Sequence, residues 1–283
     1  MRGPHNIWRL IRTGATLERT GAMGQVLAAL DAPANLRVAA RVLGWPFKWL
    51  GLRGDPDLPP VTRALTALGP AYIKFGQIMS TRPDVVGDEL AMQLRVLQDE
   101  LPPFPRSTAL RVVRDELERP VDDLFSEFSE PIAAASIAQV HRARLTATGE
   151  QVAVKVLRPG IERAFRRDID AFYLAAWMIE TLSPSSRRLR PRDVIAHFDG
   201  VVTGELDLRL ETSGADEFAA NTAKDAGFRV PKVHWFLSGR RVMTLAWAQG
   251  VSASDIAAID AMGVDRRELG ERVLRLFLSH ALR

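Results

Sequence analysis

Val152-Ala153-Val154-Lys155-Val156 reads as the body of a β-strand over 151–157. An inward lysine on a strand needs a carboxylate partner, because burying an unpaired ammonium is strongly unfavourable. Lysine is also scarce here: of 38 basic residues only Lys48, Lys74, Lys155, Lys224 and Lys232 are lysines. In a chain that defaults to arginine, each lysine hints that a compact ammonium is wanted. The partner is sought in a helical region from Pro191 to about Thr222, which carries Glu205, Asp207 and Glu211. On one regular helix Asp207 and Glu211 share a face, and Glu205 points about 120° from Glu211. One helix then serves two stations, with Glu211 toward Lys155 and Glu205 elsewhere. A solvated acidic face, aided by Arg209, fits the same residues.

Outward from this strand the texture is mixed. Leu124 to Glu130 and Ile137 to Leu145 read as two further strands, with the small-residue loop Pro131-Ile132-Ala133-Ala134-Ala135-Ser136 between them. Thr146 to Glu150 is the turn into the lysine strand. A long helix is expected from Ile161 to about Leu182. Two more strands are expected at Arg229–Phe236 and Arg240–Trp247, and helices at Ser254–Ala261 and Asp265–Leu282. Upstream, residues 6–100 read as helical, including an amphipathic start at Asn6 and a second helix through Asn35–Val42-Leu43. A further helix starts at Asp88 and aligns Leu90, Leu94, Leu97 and Leu101. Pro102-Pro103-Phe104-Pro105 marks a boundary. The expected units are 1–60, a basic amphipathic segment; 61–105, a helical extension; 106–248, a lobe built on the strands; and 249–283, the start of a helical region.

Within the extension, Gly69-Pro70-Ala71-Tyr72-Ile73-Lys74-Phe75-Gly76-Gln77-Ile78-Met79-Ser80-Thr81-Arg82-Pro83 places about three turns of helix between two prolines. Lys74 and Gln77 share one face. Gly76 costs about 1 kcal/mol in a helix unless something must approach its bare backbone closely.

The 283 residues, 47% apolar and 25% charged, suit one large or two modest globular domains. With no cysteine there is neither a disulfide framework nor thiolate chemistry. No apolar run is long enough for a membrane-spanning helix, and Arg9 and Arg12 interrupt any secretory signal. Residues 1–54 hold eight Lys/Arg against Glu18 and Asp31, with Trp8, Trp45, Phe47 and Trp49 interleaved. That combination suits an anionic membrane surface or a partner protein, and equally an arginine-rich hairpin packed on the body. No compact basic patch supports nucleic-acid binding. The histidines 141, 197, 234 and 280 lack metal-ligand spacing, and no Gly-x-Ser-x-Gly or Cys/His pair supports covalent catalysis.

Three strands, helices, then two strands is the layout of a protein-kinase N-terminal lobe, and Val-Ala-Val-Lys155 matches its Val-Ala-x-Lys signature. A kinase carries a Gly-rich loop where this chain has Ala133-Ala134-Ala135-Ser136-Ile137-Ala138-Gln139-Val140. Alanine resists positive φ, so this loop cannot wrap phosphates as a glycine loop does. Lys74-x-Gly76-Gln77, the alanine loop, Val-Ala-Val-Lys155 with Arg158-Pro159-Gly160, and Glu205-x-Asp207 with Glu211 appear in order. Together they resemble the UbiB-like atypical protein kinases, also called the ABC1 or aarF-domain family, from about Ile7 onward.

The resemblance implies an α+β fold, a kinase-like N-lobe with a helical N-terminal extension and a truncated C-lobe. It implies that Lys155 binds nucleotide phosphates and pairs with Glu211, with Ala133, Ala134, Ala135, Ser136 and the hinge residue Ala248 contributing to the nucleotide site. It also implies that Lys74, Gln77, Glu205 and Asp207 form a lid over that site. ATP or ADP with Mg²⁺ is the implied cofactor. Nucleotide, quinone-biosynthesis proteins or isoprenoid lipids, and an anionic membrane surface are the implied partners. The family supports ubiquinone (coenzyme Q) biosynthesis, under an older label 2-polyprenylphenol 6-hydroxylase. The expected location is cytoplasmic, peripheral to the bacterial inner membrane. The alternative is a non-catalytic lipid-binding or scaffold module. Two departures stand out. Ala246 occupies a position where the family often has Glu. The catalytic loop, with its Asp and Asn, and the metal-binding Asp-Phe-Gly are expected beyond Arg283, so this chain is expected to lack base and metal ligands.

Overall fold

The computed structural model describes residues 4–29, 34, 38, 45–98, 102–182 and 184–282. Apart from residue 38, the expected helix through residues 35–43 lies outside the described residues, as does the expected core position at Leu101. Four antiparallel strands form one sheet in the order β1-β2-β3-β4: β1 Phe125–Ala134, β2 Ala138–Leu145, β3 Gln151–Leu157 and β4 Val242–Ala246. The expected strand at Arg229–Phe236 is not formed. Val233 makes a single bridge to Leu245, and Trp235–Leu237 turns as a 3₁₀ helix. Pro231 supplies no N–H for a longer ladder.

Alternation along β3 sorts its side chains. Val152, Val154 and Val156 are fully buried in a core shared with Ala109, Val113, Phe125 and Val242. Lys155 therefore lies on the opposite face. Helix α7 (Arg106–Leu117) covers the apolar face. The Lys155 side is packed by α9 (Ile161–Leu182), α10 (Pro191–Glu205) and α11 (Leu208–Asn221), around Leu157, Phe165, Phe198 and Leu208.

Among the described residues the N-terminal region forms helices joined by loops: α1 Pro4–Thr20, α2 Met23–Ala29, α3 Pro60–Leu68, α4 Pro70–Ser80, α5 Pro83–Val86 and α6 Asp88–Arg95. Gly87, with φ 83°, caps α6, so Asp88 is its first helical residue and not its cap. The remaining helices are α8 Val121–Leu124, α12 Ile256–Ala261 and α13 Arg266–Ala281.

Of the two readings open for the basic N-terminal segment, packing on the body is observed for α1. Ala15 and Thr16 are buried, Arg9 pairs with Asp168 on α9, and Arg19 donates to the carbonyls of Trp49 and Gly51. Ile7 and Trp8 nevertheless stay more than half exposed.

Candidate nucleotide site and its lid

The region from Pro191 to Thr222 is two helices and not one. α10 ends at Glu205. Asp207 then takes an extended conformation (φ −127°, ψ 93°) and caps α11, accepting from the Arg209 N–H at 3.1 Å. The Leu208 N–H is satisfied outside the helix, by the Arg240 carbonyl at 2.9 Å, and the Leu208 side chain is fully buried. An aspartate cap of this kind contributes about 1 kcal/mol. Its sequence signal was present in Asp207 itself, a preferred N-cap type lying inside a run that periodicity reads as continuous.

The break sets the directions of the acids. Glu211, in the first turn of α11, accepts from Lys155 Nζ with both oxygens, at 2.7 and 2.6 Å. A carboxylate there also complements the positive end of the helix dipole. Glu205, at the end of α10, pairs with Lys74 on α4 at 2.7 Å. The two stations expected for one helix thus come from two helices. Asp207 joins neither. Its carboxylate is bonded to the Arg209 guanidinium (2.8 Å to Nε), which holds it below the usual carboxylate range. Its expected place facing the extension is corrected accordingly.

Lys155 and Glu211 are 30% and 49% exposed, so the pair is worth little to stability. The lysine is less buried than its strand position suggested, and its ammonium stays open to another anion. The alanine-rich segment is mostly strand. Ala133 pairs with Val140 and Ala134 with Gln139, leaving Ala135–Ile137 as the turn, closed by Ala135 N–H to Ala138 O at 2.8 Å. Ala133 and Ala134 are therefore part of β1 and not of a loop. Among the described residues only Glu118 and Arg190 are non-glycine residues with positive φ, so this turn is built without one. Ser136 is buried, and Ala248 is exposed just past β4.

Three residues that sequence reasoning left without a role hold this turn. Arg158, just past β3, donates to the Ala135 carbonyl (3.2 and 3.1 Å) and to the Pro102 carbonyl (2.9 Å), with its guanidinium 5.6 Å from the Phe104 ring. Gln139 accepts from Phe104 N–H at 2.9 Å and donates to its carbonyl at 3.2 Å. His141, fully buried, donates from Nδ1 to the Ser129 carbonyl at 2.9 Å and so accepts from Gln139 at Nε2. Burial pushes its imidazole below the ordinary histidine value. The Pro102–Pro105 segment, where the sequence marks a boundary, is thereby fastened to the alanine turn.

In the extension, the close approach that Gly76 requires comes from the protein itself. A Cβ there would stand 2.3 Å from Leu97 Cδ1 and 2.7 Å from Leu65 Cδ1. Gln77 donates to the Leu97 carbonyl at 2.7 Å, so it anchors the extension internally while Lys74 reaches outward.

A small antiparallel sheet whose third strand presents a lysine to a helix-borne glutamate defines a kinase-like N-lobe, here with a helical extension ion-paired to it. The ABC1 atypical kinase-like domain matches residues 96–283, and the chain belongs to that family. Relatives described as "Probable protein kinase UbiB" include one from Marinobacter nauticus, 39% identical over 221 residues, covering 78% of this chain and 40% of that protein. Another, from Shewanella baltica, is 40% identical over 283 residues, covering all of this chain and 50% of that protein. A third, from Azotobacter vinelandii, is 38% identical, covering 86% and 46%. The chain spans about half the length of the curated relatives it matches. A solved structure described as the complex of Rv3197 with erythromycin, from Mycobacterium tuberculosis, matches 70% of this chain and 49% of that one at 28% identity, with a TM-score of 0.45.

Proposed function

We propose that this chain is the nucleotide-binding part of an atypical kinase or ATPase that supports ubiquinone biosynthesis. The observation that carries the reading is the Lys155–Glu211 pair. Glu211 fixes the lysine by both oxygens, and the partly open ammonium suits the phosphates of ATP or ADP. The turn Ala135–Ile137, with Ser136 at its centre and Arg158 fastening it, bounds the phosphate end. Ala248 stands where adenine would meet backbone groups. Lys74, through Glu205, holds the extension as a lid, and Gln77 keeps that lid's own helices together.

Bound nucleotide supplies the phosphoryl group. The residues present here bind and orient it. Mg²⁺ would come with the nucleotide phosphates, since among the described residues no group of three or more His, Cys, Asp or Glu could hold a metal ion by itself. No metal step and no catalytic base is assigned to these residues. Titration of ATP and ADP into the protein, followed by calorimetry, tests the reading. Saturable binding that falls at least about tenfold in Lys155→Ala is expected, since a charge-assisted hydrogen bond is worth about 1.5–3 kcal/mol. No binding by the wild-type protein would leave the scaffold reading in its place.

A second reading, docking on an anionic membrane, is favoured by Ile7 and Trp8, more than half exposed on a helix that also carries Arg12. Among the described residues no helix is long and apolar enough to cross a membrane, so attachment by this part would be peripheral. Co-sedimentation with anionic vesicles should weaken as salt rises and on removal of residues 1–54. Unchanged co-sedimentation under both treatments would exclude that attachment.

A further inference from the structure

Beneath the lid lies a hollow that neither reading uses. It is a cavity of about 290 Å³ walled by α1, α3, α4, α6, α9 and α10, with α2 at its side. Leu17, Leu65, Phe75, Leu90, Phe172 and Val194 all line it, and all are only partly buried, so their free surface is left unpacked against protein. The volume is roughly twice that of an engineered apolar cavity that stays dry and binds benzene. This hollow opens to solvent on one side, so hydrocarbon laid into it takes apolar wall out of water and gains contacts with it.

The polar inventory decides what fills it. Among the described residues, Thr13 and Tyr72 bring the only side-chain hydroxyl groups to the wall, and these bond to each other at 2.6 Å. Burial pushes the Tyr72 phenol up to about 12, as expected for a wall that water does not solvate. Among the described residues no charged side chain lines the cavity, and the two hydroxyls there are spent on each other. We infer that this cavity is a binding site for a single long hydrocarbon chain, recognised by its length and not by its headgroup. The inference stands on the cavity alone and holds whether or not the chain binds nucleotide.

The test uses parinaric acid, a fluorescent fatty acid, titrated into the whole chain and then displaced by other single-chain compounds. Saturable binding at one site is expected. Dodecanoic acid and dodecanol, which share a chain and differ in headgroup, should displace the probe within about threefold of each other. Octanoic acid should be at least about tenfold weaker, because each methylene removed forfeits a further increment of burial. Ala176→Phe places a ring in the cavity from α9 and should lower probe affinity at least about tenfold while leaving the melting temperature unchanged or higher. If that variant melts lower, Ala29→Trp, at the side of the cavity, decides the matter by the same two readouts. Absence of saturable binding, displacement governed by headgroup, or undiminished binding in a stably folded filled variant would each overturn the inference.

Discussion

The molecule uses a lysine–glutamate pair twice, and the two pairs are built differently. Lys155 stands on a strand, locked in register between Val140 and Met243, and takes both oxygens of Glu211. Lys74 stands on a helix whose position depends on packing against Leu65 and Leu97, and it pairs with Glu205. The first pair is fixed by a hydrogen-bonded ladder, the second by how closely helices can approach. Yet both glutamates hang on one joint, the Leu206–Asp207 break between α10 and α11. A shift at that joint would move both glutamates together.

The most disruptive way to break the comparison is on the helical side. Gly76→Val should cost about 3 kcal/mol, because its Cβ alone already collides with Leu97 and Leu65 and a branched side chain cannot yield. Thermal unfolding would show it as a large drop in melting temperature. On the sheet side, Gln139→Ala should cost about 2 kcal/mol by stripping both backbone groups of Phe104 of their partner. Denaturant titration measures that loss.

Asp207→Ala should cost about 1 kcal/mol through the lost cap, and Asp207→Asn less, since asparagine also caps. Asp207 also carries a pH signature. Its folded-state pKa is depressed by Arg209, so its contribution is complete above the ordinary carboxylate pKa and is lost as pH falls through its own lower value. Acid titration of stability should therefore flatten in Asp207→Asn. His141 acts at higher pH. Its depressed pKa means that the unfolded state takes up the proton first, so stability falls as pH drops below about 6.5. The smallest stability effects belong to the pairs themselves: Lys74→Ala and Lys155→Ala should each cost less than about 1 kcal/mol.

Much of this was legible in the residues. The strand at Gln151–Leu157 and the helix at Ile161–Leu182 have the expected bounds, because their patterns are long and their ends are marked by Gly149 and Gly160. The acidic run left the pairing of Lys155 with Glu211 open beside a solvated face, and the contact through both oxygens decides for the pair. The break at Asp207 was hidden because a cap inside a helical pattern looks like one more polar residue. The expected loop at Ala133–Ala134 failed because small residues suit a strand edge as well as a turn, and pairing with Val140 and Gln139 decides between them. Gln77 illustrates the general limit. Spacing says which side chains share a face, but not that Leu97, twenty positions away, offers a carbonyl on that face.

On the reading proposed above, Lys155 and Lys74 are alike as ion pairs and only Lys155 meets the nucleotide. ATP titrations of the wild-type protein, Lys155→Ala and Lys74→Ala, run side by side by calorimetry, test it most directly. A loss of affinity of at least about tenfold is expected in Lys155→Ala, with at most about a twofold change in Lys74→Ala. Equal losses in the two variants, or none in Lys155→Ala, would contradict it.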